Sequence, residues 1–313
     1  MSHIDLGDET FSVNFMPDLH RLRSSIEEIG LIQPVLLRKR RDGYQIICGF
    51  RRISVLKEMG GSDILSTILD EEEKNDLRLF FVSLHENLTS RGFNTIEKAI
   101  ALDKLVHQFH VERVMVIKKY LPLFDLEADE KILNTYLSLI PMEEEMKQYV
   151  LKEKVSRANI RKVSALSSKD QAALLSLISP LKLGENRLRE ILTLLDEITK
   201  RDQLAIQEIV RRPEIQAVLS HRELTAPQRA DRMKKILMSL RYPQMHQLER
   251  TFERKKEELN LPPSISLQHP PFFEGKGLKM EFQFETQKEY QSVISFLSRL
   301  TERKEFKDMI ESF

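Results

Sequence analysis

The chain has 313 residues, with 49 Lys and Arg against 48 Asp and Glu and a formal net charge of +1. That balance excludes a protein that coats nucleic acid through bulk charge, so DNA contact has to come from local patches. One cysteine, Cys48, excludes an internal disulfide, and the lack of tryptophan with 7% aromatic residues argues against a stacking platform for single strands. No apolar run reaches membrane-spanning length and no basic-then-apolar leader is present. The expectation is a largely helical cytoplasmic protein, nucleoid-associated if it binds DNA, with no membrane partner.

The first 94 residues alternate strand and helix signals. Phe11-Ser12-Val13-Asn14-Phe15 predicts a short lead-in strand. Pro17 and Asp18 open a helix whose apolar positions Leu19, Leu22, Ile26 and Ile29 recur at helical spacing, and Gly30 is placed to stop it. Val35 to Arg38 predicts a strand, and Asp42-Gly43 is a tight-turn signal into a second strand, Tyr44 to Cys48. A helix from Arg51 to Met59 ends at Gly60-Gly61, and Ile64 to Leu69 predicts another strand. The acidic run Asp70 to Glu73 leads into a helix with Leu77, Phe80, Phe81, Leu84 and Leu88 on one face.

From 95 to 240 helical spacing dominates, with breaks near Pro122, Pro141, Pro180, Pro213 and Pro227. A highly charged helix, Met245 to Leu261, then precedes a strand around Ile265 and Leu267 and a turn at Gly275-Lys276-Gly277. Leu278, Met280, Phe282 and Phe284 alternate with polar residues, as in a half-buried strand, and a last helix points Tyr290, Val293, Ile294, Leu297 and Leu300 inward. The fold class is therefore α+β and mostly helical, with a small α/β domain (1–94), a helical middle (95–240) and a charged helix plus ββα module (245–313). Two strands and one helix are too small to bury that apolar surface alone, so the module either pairs with a second copy or docks on the helical middle.

Tyr44 to Arg52 is the run with chemical content. It reads as an apolar strand, a glycine turn and a helix that opens with two arginines. Cations at a helix start are disfavoured by the macrodipole, unless an anion shares the space. Gly30-Leu31-Ile32-Gln33-Pro34-Val35, Gly49-Phe50-Arg51-Arg52 and Glu86-Asn87 together resemble, in order and spacing, the three sequence boxes of the ParB family's N-terminal domain. The resemblance implies a CTP-binding domain that acts as a DNA-clamp switch in chromosome or plasmid partition, or in partition-like gene regulation. It further implies a helix-turn-helix in the middle region, a C-terminal homodimerisation module, and a ParA-type ATPase as a partner.

Carried onto this sequence, the resemblance implies that Gln33, Gly49, Arg51, Arg52 and Asn87 bind the nucleotide. Glu86 and Asn87 would hold Mg²⁺, and Glu86 would support slow hydrolysis of CTP. The sequence departs from the family pattern at Phe50, where an acid is common, at Ser54, where a further arginine is common, and at Thr89-Ser90, which put Arg91 one step late. Sulfiredoxin also resembles this domain, but its catalytic cysteine follows the turn glycine, whereas Cys48 precedes Gly49. A strand cysteine there reads as a small buried hydrophobe.

The recognition helix implied by the family falls near Asp129 to Ile140, where Asn134 and Thr135 are candidates for base contact. That neighbourhood is acidic, with Asp125, Glu127, Asp129 and Glu130 around Lys131. Lys154, Arg157, Arg161 and Lys162 are better candidates for phosphate contact on double-stranded DNA, and Ser156 is a candidate N-cap for a helix whose first turn meets a phosphate. His107, His110 and Glu112 mimic metal ligands but read as surface. Two other readings stay open: a nucleotide-using kinase or nuclease on this fold, and a protein-protein adaptor that has lost DNA binding.

Overall fold

The computed structural model describes residues 1, 3–69, 75–273 and 277–312. The acidic run Asp70 to Glu73 and the Gly275-Lys276 part of the expected turn lie outside the described residues. The chain packs as two compact units, Met1–Leu192 and Thr193–Phe313.

The first unit opens with β1 (Ile4–Asp5), α1 (His20–Ile29), β2 (Val35–Arg40), β3 (Gly43–Cys48), α2 (Phe50–Glu58), β4 (Ser66–Leu69) and α3 (Asp76–Ser90). The strands form one sheet in the order β1-β3-β2-β4. The β2–β3 pair is antiparallel around the Asp42-Gly43 turn, and the two outer pairings are parallel. Val35, Leu37, Ile46 and Ile53 close a core between this sheet and α2. Gly30 caps α1 at φ 74, a left-handed value that suits glycine at a helix end. The expected strand at Phe11 to Phe15 does not form: the segment has no strand partner. Its period-2 burial is still real, since Phe11 and Val13 are buried and the Phe11 carbonyl accepts from Ser83 Oγ of α3.

Beyond α4 (Thr95–Asp103) the unit is helical. Short α5 (Arg113–Met115) and α6 (Leu121–Leu123) flank a π-helical turn at Val116–Tyr120, followed by α7 (Glu130–Leu137), α8 (Glu144–Lys152), α9 (Arg157–Ser164), α10 (Ser168–Ile178) and the beginning of α11 (Glu185–Asp202), whose remainder belongs to the second unit. Leu102, Leu105, Leu121, Phe124 and Leu133 fill the middle of this bundle. Asn94 caps α4 in a capping box with Glu97, which fixes the chain's turn out of the α/β region.

The second unit contains α12 (Ile206–Val210), α13 (Pro213–Ser220), α14 (Ala226–Arg241), α15 (Pro243–Glu258), β5 (Ile265–Gln268), β6 (Lys279–Phe282), α16 (Gln287–Leu300) and α17 (Lys304–Ile310). Pro213 and Pro227 sit in the first turn of their helices, where the missing N–H has no intrahelical bond to lose, so they start helices as well as interrupt them. The antiparallel β5–β6 pair and α16 bury part of their apolar surface within the chain: Phe252 and Leu259 from α15 and its end join Leu267, Leu300 and Met309 of α17 in one core. Phe284, Tyr290 and Ile294 stay 51%, 42% and 40% exposed, so Tyr290 and Ile294 are not inward within one chain.

Candidate functional site

The β3–α2 turn sets the geometry. Gly49 has φ 100, and a Cβ there would stand 2.6 Å from Cγ1 of Val35. Packing against β2, as well as the left-handed backbone, therefore demands glycine here. Gly49→Ala is expected to destabilise the chain by about 1–3 kcal/mol, read as a lowered midpoint in urea. With glycine as N-cap, no side chain caps α2, and its first turn carries no acid. A cavity of about 500 Å³ opens beside this helix start.

Gln33, Gly49, Arg51, Arg52, Glu86 and Asn87 all line that one cavity. The three separated sequence boxes therefore converge. Arg52 donates to the carbonyls of Gln33 (3.1 Å) and Pro34 (3.0 Å) and pairs with Glu86 at 2.5 Å. Arg51 donates Nε–H to Asn14 Oδ1 (3.0 Å) and Nη2–H to Glu97 Oε1 (2.7 Å). Burial first, and then the neighbouring Arg91 charge, pull the Arg51 guanidinium below its ordinary pKa, with Glu97 opposing them.

Sequence reasoning missed part of the wall. Arg21, Asp18 and Asn14 line the cavity, and so does Arg91, which follows the end of α3 and folds back to donate to Asn87 Oδ1 at 2.9 Å. Arg91 also pairs with Glu97 Oε2 at 2.8 Å. Glu97 is only 1% exposed and carries both guanidiniums. The Asn94-x-x-Glu97 capping box was legible as a helix start, but nothing in the spacing shows that its carboxylate also reaches two arginines.

A magnesium ion bound with phosphate usually takes few protein oxygens and completes its shell with phosphate and water. Glu86, 35% exposed at the cavity wall, fits that role once Arg52 shifts from it. Asn87 gives Nδ2–H to the Ser83 carbonyl and accepts from Arg91, which leaves one lone pair on Oδ1 for a cation. Among the described residues no group of three His, Cys, Asp or Glu gathers as a metal site, and exposed His107 pairs with Asp103 instead. Cys48 is buried, and burial followed by the Glu86 charge pushes its thiol up to about 12. Alkylation at pH 8 is expected to be negligible in the native protein and complete in urea, as mass spectrometry would show.

A family profile described as the ParB N-terminal domain matches residues 13–88, which contain all three boxes. A nucleoid occlusion protein of Halalkalibacterium halodurans is 28% identical over 56% of this chain and 60% of its own length. A probable chromosome-partitioning protein ParB of Campylobacter jejuni is 29% identical over 61% of this chain and 64% of its own. Residues 13–88 are a divergent ParB N-terminal domain. The chain spans less than two thirds of the length of these curated relatives. Among solved structures, truncated Caulobacter crescentus ParB complexed with CTP-γ-S shares 21% identity over 55% of this chain and 92% of that one, at a TM-score of 0.24.

The residues expected to meet DNA are placed less uniformly. Thr135 is 2% exposed and gives its hydroxyl to the Lys131 carbonyl, so it faces the bundle and not a groove. It lies three residues after half-buried Ile132 and next to buried Tyr136 on α7. Asn134 is exposed on α7, and its Oδ1 accepts from Arg113. Lys154 sits in the α8–α9 turn at φ 50, and Arg161 and Lys162 are exposed on α9. Arg157 pairs with Glu127 at 2.6 Å and holds that carboxyl down at about 2.

Ser156 does cap α9, through the Asn159 amide. The anion at that helix start is a protein carboxylate, however. Glu185 accepts from the Ser156 N–H (3.2 Å), the Ser156 hydroxyl and Asn159 Nδ2 (3.0 Å). Burial alone would raise its pKa, but these hydrogen bonds, with Arg189, bring it below the ordinary value. A phosphate at this helix end would have to displace Glu185.

Proposed function

We propose that this chain is a nucleotide-responsive, DNA-binding ParB-family protein of the partition type. The carrying observation is that four arginines, Arg21, Arg51, Arg52 and Arg91, and an uncapped helix start meet in one cavity of about 500 Å³. Polyphosphate is the ligand that uses guanidinium forks and helix-start amides together. Cytosine as the base comes from the family resemblance. Arg51 and Arg52 grip the phosphates, Gln33 supports Arg52 through its carbonyl, and Asn87 positions Arg91. Bound with the nucleotide, Mg²⁺ would neutralise phosphate charge, held by Glu86 and Asn87.

Nucleotide favours self-association of the 1–94 domains by population shift, so that a dimer closes around double-stranded DNA. Exposed Phe284, Tyr290 and Ile294 support a second, C-terminal contact between two copies. A ParA-type ATPase is the proposed partner in partition, at the nucleoid. Glu86 is the proposed base for hydrolysis, and its tie to Arg52 lowers its availability, which favours slow turnover over a kinase or nuclease. Titration calorimetry of the full chain with four ribonucleoside triphosphates, with and without Mg²⁺, tests the switch. Saturable heat with CTP is expected; no heat with any of them would overturn it.

One observation favours the adaptor reading. Asp129 and Glu130 begin α7, and Arg113 and Arg157 beside them are already engaged with acidic or amide oxygens. A gel-shift series across salt separates the two, because phosphate contacts give a steep fall in affinity with salt.

A further inference from the structure

Glu97 stands just behind the cavity, on the first turn of α4, and outside the three sequence boxes. A guanidinium binds an anion best when two neighbouring N–H groups form a fork. Arg91 has none to spare: Nε serves Asn87, Nη1 serves Gly92 and Glu97, and Nη2 serves Asn14. Arg51 commits one edge, with Nε on Asn14 and Nη2 on Glu97, while its Nη1 takes no part in these bonds. A phosphate can take a fork from Arg91, or the Nε–Nη2 fork of Arg51, only by exchanging one of these bonds. Of the acceptors, Glu97 alone carries a charge.

We infer that Glu97 is an internal anion that competes with ligand phosphates for Arg51 and Arg91 and so sets the affinity of the pocket. This rests on the nucleotide reading of the same site. The exchange does not strand a bare carboxylate, because Glu97 also accepts backbone N–H groups from Phe15 (3.4 Å) and Asn94 (3.1 Å). Those bonds keep it compensated while one arginine turns to the ligand. A residue that merely held the fold would, on removal, weaken binding. A competitor, on removal, tightens it.

Glu97→Gln separates these roles, since glutamine keeps the shape and the capping box but drops the charge. The probes are inorganic triphosphate and CTP, titrated calorimetrically into the full chain. Glu97→Gln is expected to bind triphosphate about tenfold tighter than the parent chain. Glu97→Asp, whose shorter side chain draws the charge back, changes affinity in the same direction and serves if the glutamine variant does not fold. Asn94→Ala removes the cap without touching the carboxylate, and lowers stability with triphosphate affinity unchanged. Binding by Glu97→Gln alone would also support the inference. Equal or weaker binding by both Glu97 variants, with the parent chain still binding, overturns the inference and leaves the nucleotide reading intact. No binding by any of these proteins overturns the nucleotide reading, and the inference with it.

Discussion

Arg52→Ala is expected to lower CTP affinity by about 100-fold, because it removes a charge-assisted fork and exposes an acid in one step. Arg52 holds the Gln33 and Pro34 carbonyls and neutralises Glu86 across the cavity. Without it, the Glu86 carboxylate faces the phosphates unpaired. The first box also loses its tie to α2, and a further cost of about 1–2 kcal/mol in folding stability is expected. Calorimetry with CTP and a urea transition on the same variant read the two effects separately. Affinity equal to that of the parent chain would remove Arg52 from the site.

Reversing two charges on α9, Arg161→Glu with Lys162→Glu, is expected to weaken duplex binding by about 30-fold or more at low salt and to flatten the salt slope by about two. Both residues are exposed on α9. Arg157→Ala is expected to do much less, because that guanidinium is already spent on Glu127. Gel shifts over a salt series check both. A doubly reversed variant that shifts DNA like the parent would exclude α9 from the interface and favour the adaptor reading.

The α/β region was largely legible because local signals and tertiary demands agree there. Gly30 ends α1, Asp42-Gly43 turns β2 into β3, and the helix starts at Gly49, all from short-range backbone rules. The convergence of the three boxes on one cavity followed from family spacing, since no local rule brings Glu86 to Arg52. Long-range choices were not legible. Whether Phe11 to Phe15 becomes a strand depends on a free sheet edge, and the partner that pairs beside β3 is Ile4–Asp5. Ser156 was read correctly as a cap, yet only the fold reveals that Glu185, 29 residues on, supplies the anion. Thr135 misled because a polar side chain at helical spacing can satisfy its hydroxyl on the preceding turn and remain buried. The closing helix α17 was missed, although its Met309 is fully buried in the C-terminal core.

Hydrogen exchange of the full chain with and without CTP and Mg²⁺ puts the nucleotide pocket to the most direct test. Slowed exchange in peptides covering Gly49 to Arg52 and Glu86 to Arg91 is the expected result. Exchange unchanged in both stretches at saturating CTP would contradict a nucleotide at the start of α2.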